Sequence, residues 1–250
     1  MRLLDEGGEV RAYGHGDTSA LRAAGAFVAS GAVDDEGRLD AACTDVHTVV
    51  HVGGGLMSPD PRHLVREAEV LVRAVTSAGV QRIIALSLPG ADPQAADPVR
   101  RAKGEVEAHL AAAELPTVVI RPSLVATPTI IDALATVGLD PASRAVEVAP
   151  VRATDLLELI VAFDRARSRA ETGHLVVAAD GPERVTVDRL VAAAGADLSS
   201  GGSLVGRSLP PPWLADQLAA ALTGPWWSEE PVVLDGWRFA GLDPAPVLDP

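Results

Sequence analysis

The chain is short of several things at once, and each shortage removes a class of explanation. One cysteine, Cys43, stands in 250 residues. No internal disulfide can form, which suits a reducing compartment, and a cytoplasmic location is expected. Aromatic residues make up 3%, so Ala, Val and Leu must fill the core. Acidic residues outnumber basic ones 34 to 21, for a formal net charge of −13. Phosphate-backbone contacts need clusters of Lys and Arg, so nucleic acid is excluded as a main partner. No apolar run approaches the roughly 20 residues of a membrane span, and the start, Met1–Gly8, has no apolar region of signal-peptide type. No metal ligand set is assigned.

What is present is a regular alternation. Hydrophobic residues make up 48%, enough for a large α/β core with a small cap. Short, nearly continuous apolar runs predict strands at Glu9–Tyr13, Ala26–Ala29, Thr48–Val52, Arg82–Ser87, Thr117–Arg121 and His174–Ala178. Such runs suit parallel strands covered on both faces. Helices are predicted over Thr18–Ala24, Glu36–Cys43, Pro61–Ala78, Pro98–Ala113, Thr154–Ala166 and Thr186–Ala194. Thr18, Asp60 and Asp97 are N-cap candidates, Pro61 and Pro98 suit a first helical turn, and Gly79 suits a helix end. The pattern predicts a doubly wound parallel sheet with Val49, Ile83 and Val119 at its buried centre. Residues 1–198 are assigned to this Rossmann-like domain. Residues 199–250, with Pro210–Pro212 and all four tryptophans, are assigned to a loop-rich C-terminal cap holding one helix, Trp213–Leu222.

Several blocks in order resemble the atypical short-chain dehydrogenase/reductases, near the NmrA-like and extended epimerase-like members. Leu3–Ala12 is similar to the end of their first helix and second strand. Thr48–Gly54 resembles the fourth strand and its glycine turn, and Ala78–Ser87 the approach to the catalytic serine. Arg101–Glu107 resembles the helix of the catalytic lysine, Val119–Val125 the strand and loop over the nicotinamide, and Pro150–Asp155 a later segment ahead of a helix. The resemblance covers roughly Met1 to Ala194. It implies an NAD or NADP cofactor, with Ser87 and Lys103 as catalytic positions and His15, Gly53, Gly54, Lys103, Arg121, Pro122 and Ser123 around the cofactor. The expected ligand is a small molecule or nucleotide, and a homodimer is left open.

Departures from that family's pattern are as informative. Its Tyr-x-x-x-Lys reads Val99-Arg100-Arg101-Ala102-Lys103 here, and valine has no proton to give. The single tyrosine, Tyr13, lies on another strand. His15 stands where relatives often carry an arginine, and Gly31-Ala32 where they show Gly-Asp. The first strand and glycine-rich phosphate loop are missing ahead of the first helix. The expectation is that they are encoded upstream of Met1; the alternative is that the protein begins there. Cofactor binding by residues 1–250 alone is accordingly expected to be weak or absent, because the pyrophosphate loses its glycine turn. Plainer readings stand beside these. Gly53–Gly55 also suits a flexible loop, Ser87 a hydrogen-bonded strand end, and His51 a core histidine. Lys103 also suits a surface lysine paired with Glu107, and Trp226–Trp227 the seal of a core edge. Three functions follow: a divergent NAD(P)-dependent oxidoreductase lacking the tyrosine, a non-catalytic nucleotide sensor, and a partner-binding scaffold.

Overall fold

A computed structural model describes residues 2–5, 7–14, 16–53, 60–166, 173–192, 212–222 and 226. Strands and helices alternate from the start: α1 Arg2–Asp5, β1 Arg11–Gly14, α2 Ser19–Ala23, β2 Phe27–Ser30, α3 Glu36–Cys43, β3 Thr48–His51, α4 Arg62–Ser77, β4 Arg82–Leu86, α5 Pro98–Ala111 and β5 Thr117–Pro122. Short pieces follow: β6 Val125–Ala126, α6 Pro128–Thr136, α7 Pro141–Arg144, β7 Glu147–Val148 and β8 Val151–Arg152. Then come α8 Ala153–Arg165, β9 His174–Ala179, β10 Val185–Thr186 and a last helix, Pro212–Ala221.

The helix starts have local causes. The Asp97 carboxylate accepts the Arg100 amide at 2.6 Å and Pro98 opens α5, which needs no amide donor there. Asp35 caps α3 through the Arg38 amide at 3.2 Å. Thr18 precedes α2 without a side-chain cap bond; the Asp17 carboxylate accepts the Ser19 amide instead. Gly79 closes α4 with φ +72°, a left-handed turn that glycine adopts without strain.

Strands β3, β4, β5 and β9 form one parallel sheet in that order. Side chains alternate between its faces. Ile83, Ala85 and Val119 pack beneath α4 and α5 with Leu64, Leu71, Val75, Val106 and Leu110. Ile84, Val118 and Ile120 point the other way, onto Leu156, Leu159 and Phe163 of α8. Both faces are therefore covered, as in a doubly wound sheet. Strands β1 and β2 pair in parallel as a second, two-stranded sheet. Among the described residues no ladder joins β1 to β3. That is why Val49, expected at the buried centre, is only partly buried, whereas Ile83 and Val119 are fully buried.

A third core lies beyond the C-terminal ends of the four strands. It joins Leu88, Val99, Leu124, Ile131, Leu134 and Val148 to Leu214, Leu218 and Trp226. The small pairs β6–β8 and β7–β10 fix the backbone around it. No helix among the described residues is long and apolar enough to cross a membrane.

Candidate functional site

Open α/β sheets present ligands at the carboxyl ends of their strands, and a cavity of about 180 Å³ sits there. Val52 and Gly53 reach it from the end of β3, Leu86, Ser87 and Leu88 from the end of β4, and Pro122 to Val125 from the end of β5. Lys103 enters from α5, Ile130 from α6, and Trp226 closes the far side. The walls are almost wholly apolar, so two polar side chains stand out.

The first is Ser87. Its amide donates to the Ile120 carbonyl at 2.8 Å, which fixes the backbone at the strand end. Its hydroxyl is buried and has no hydrogen-bond partner. Leaving a hydroxyl unpaired in a protein interior is unfavourable by about 1–3 kcal/mol. Such an atom on a cavity-lining residue is a place for a ligand's polar group.

The second is Lys103. Its ammonium nitrogen donates to the Gly53 carbonyl at 3.2 Å and the Leu86 carbonyl at 3.0 Å, so it ties the ends of β3 and β4 together. The side chain is 3% exposed. Burial lowers its pKa to about 8, a shift that Glu107 and Glu67 only partly oppose. The reading of Lys103 as a surface residue paired with Glu107 is thereby overturned. Glu107 is itself buried, and its carboxylate is taken by Arg121 in a two-pronged ion pair, 2.9 Å from the guanidinium Nε.

The remaining positions divide. Arg121 also donates to the Ala91 carbonyl at 3.0 Å and does not line the cavity. Ser123 lines it, but its hydroxyl donates to the Trp226 carbonyl and accepts the Ala149 amide at 3.0 Å, so that group is spent inside the protein. Pro122 and Gly53 are wall residues. A side chain at Gly53 would press on the His51 ring, whose Cε1 lies 3.1 Å from where a Cβ would sit. His51 is held neutral: burial and the nearby Lys103 charge lower its pKa to about 4. His15 and Gly54 lie outside the described residues.

Val99, at the tyrosine position, is 2% exposed and packs into the apolar core with Leu88, Leu124 and Trp226, three residues that also line the cavity. Tyr13 does not replace it. Its hydroxyl donates to the Ala32 carbonyl at 2.8 Å, and its ring lies over Gly31, where a Cβ would meet the hydroxyl at 2.3 Å. Among the described residues no cluster of His, Cys, Asp or Glu could hold a metal ion.

Two features of the site went unread in the sequence. One is the set of partners that hold Trp226, which the sequence shows only as the seal of a core edge. Its indole nitrogen donates to the Ala221 carbonyl at 2.6 Å, and its ring lies 5.8 Å from the Arg100 guanidinium. The other has a plain signal in the sequence: of 21 basic residues, twenty are arginine and one, Lys103, is lysine.

A model of the family described as NAD(P)H-binding matches residues 1–155. No curated protein matches the chain. Among solved structures, the triphenylmethane reductase of Citrobacter sp., complexed with NADP(H), is similar over 88% of this chain and 82% of its own. Its identity is 18% and the TM-score 0.62. The Bordetella bronchiseptica enzyme WbmG, in complex with NAD and UDP, is similar over 84% of this chain and 75% of its own, at 17% identity and TM-score 0.57. A nucleoside-diphosphate-sugar epimerase from Staphylococcus aureus covers 84% of this chain and 78% of itself, at 13% identity and TM-score 0.61. At these identities the likeness is one of fold.

Proposed function

The chain belongs to the NAD(P)H-binding family, and from that premise we propose that the cavity at the ends of β3, β4 and β5 receives the nicotinamide end of NAD(P)H in a protein that has dispensed with a tyrosine proton donor. The residues present fit that group. The unpartnered Ser87 hydroxyl offers one hydrogen bond, the apolar walls suit an uncharged ring, and Lys103 would hold the adjoining ribose. When bound, the cofactor supplies a hydride. The protein's own part is to seat the ring, to hold it with Ser87, and to keep water out with Leu88, Ile130 and Trp226.

The observation that carries this reading is the burial of Val99 at the proton-donor position. The proton-donor position has become part of an apolar core, while serine and lysine remain together on the cavity. An acceptor that takes its proton from water suits such a site. A ketone needing a proton from the helix loses a contribution worth about 10²–10⁴-fold. A non-catalytic nucleotide sensor is the second reading, and the same valine favours it.

Titration of the protein with NADPH and NADH, followed by nicotinamide fluorescence, tests binding. The expected result is saturable binding, against the weak or absent binding that the sequence alone suggests, and Lys103→Met and Gly53→Val should weaken it. Absence of saturable binding refutes the proposal. A turnover screen with apolar acceptors then separates reductase from sensor.

A further inference from the structure

Twenty of the 21 basic side chains are guanidinium groups, and the one amine lies buried against the cavity. Arginine is also a strong donor to backbone carbonyls, but it stays charged at every ordinary pH. What lysine alone adds at position 103 is a nitrogen that can lose its proton. We infer that Lys103 is a covalent carbonyl-binding residue, which forms an imine with small apolar aldehydes in the cavity while the Ser87 hydroxyl holds the carbonyl oxygen.

Three aspects of the geometry support this. The Lys103 nitrogen has two acceptors, the Gly53 and Leu86 carbonyls. A neutral amine spends both its N–H bonds on them, which leaves its lone pair at the remaining tetrahedral position. Glu107, one of the two carboxylates near the amine, is engaged by Arg121. Burial then brings the proton off near pH 8, so the nucleophilic amine grows from a minor form at neutral pH to the main form in mildly alkaline solution. Ser87 follows Leu86 directly and lines the same cavity, and its buried hydroxyl has no partner within the fold. It is placed to donate to an oxygen developing negative charge.

The cavity chooses the partner. An apolar cavity of about 150 Å³ is known to take benzene, and this one measures about 180 Å³. A single-ring aldehyde fits, whereas a sugar would bring hydroxyls that the walls cannot satisfy. The step balances without a further reactant. The amine lone pair forms a C–N bond to the carbonyl carbon, and the carbonyl π pair moves to oxygen. A proton passes from nitrogen to that oxygen, giving a carbinolamine. Loss of water then forms the C=N bond.

The inference does not rest on the cofactor, although the two readings share a site. The test incubates the full chain with benzaldehyde and sodium cyanoborohydride across pH 6–10, then maps benzylated peptides by mass spectrometry. The expected result is a benzyl group on Lys103, gained faster than on free Nα-acetyl-lysine and with a pH midpoint near 8. Lys103→Arg, which keeps a donor to the carbonyls, should leave only the N-terminal amine labelled. Ser87→Ala should slow Lys103 labelling by roughly tenfold or more. Circular dichroism checks that each variant is folded. Labelling of Lys103 no faster than the free amine, a midpoint above 10, or a Ser87→Ala rate equal to wild type overturns the inference. Saturating NADPH in a parallel arm should protect Lys103. Failure to protect counts against the cofactor reading and leaves the imine standing.

Discussion

The Ser87 hydroxyl is the least comfortable polar atom of the site, being buried and unanswered. Removing it takes away an unfavourable group, so Ser87→Ala should leave the protein as stable as before or more stable by about 1 kcal/mol in urea unfolding. The same change should weaken ligand binding. A loss of stability would mean that the hydroxyl is satisfied within the fold. Lys103 has the opposite character. Below pH 8 the folded and unfolded chains both hold its proton, and the full penalty of a buried charge applies. Between about 8 and the ordinary 10.5 the unfolded chain binds a proton that the folded chain has released. Its contribution to stability therefore rises with pH across that window, by about 3 kcal/mol at most. Wild type compared with Lys103→Met in denaturant at pH 7 and pH 10 reads this directly; a difference that does not change would refute it. Val99→Tyr should not restore a proton donor. A phenol there must enter a filled core beside Leu124 and Trp226, and overpacking of that kind lowers stability by about 1–3 kcal/mol. An unchanged urea midpoint would show that position 99 has room toward the cavity. The site residues of this scale were legible only in part. Ser87 and Lys103 could be named because the strand end and helix spacing around them are local signals. That the Ser123 hydroxyl is spent on Trp226 and Arg121 on Glu107 depends on partners 103 and 14 residues away, which no local pattern reveals.

Helix α5 carries the site and is held by close packing. A Cβ at Gly104 would lie 2.2 Å from the Asp92 carbonyl carbon and 2.3 Å from the Pro93 nitrogen. Alanine is the better helix former by about 1 kcal/mol, but overlap with backbone outweighs that preference. Gly104→Ala should lower stability by about 1–3 kcal/mol net, as seen in thermal or urea unfolding, and a stabilised variant would refute the close approach. Element positions were the most readable part of the sequence. The strands beginning at Thr48, Arg82, Thr117 and His174 and the helix Glu36–Cys43 begin where their apolar runs and capping residues put them. The stretch from β6 to β8 was not legible. Its two-residue strands are too short to show a period, and they form only because β6 finds β8 and β7 finds β10.

At the scale of the whole molecule the sheet is in two parts. The larger has a core on each face; the smaller, β1 with β2, has mostly exposed or half-buried residues, Phe27 at 67% exposure among them. Opening the small pair should expose little apolar surface. Native-state hydrogen exchange should therefore find the amides of β1 and β2 exchanging at least about 100-fold faster than those of β4 and β5. Equal protection would mean that the two sheets open as one unit. The alternation of strands and helices predicts a single parallel sheet; its division depends on which strands pair, and no local pattern reveals that.

The tie that Lys103 makes between the ends of β3 and β4 also decides which wall of the cavity is rigid. On that side the wall is backbone, locked by sheet ladders and by a buried amine. On the other it is Trp226, held by the Ser123 hydroxyl, its own indole bond to Ala221, a backbone bridge at Glu147 and Val148, and a guanidinium laid against its ring. Trp226 thus gathers four separate segments, at Arg100, Ser123, Glu147 and Ala221, so the wall on that side is complete only once the chain has folded around it.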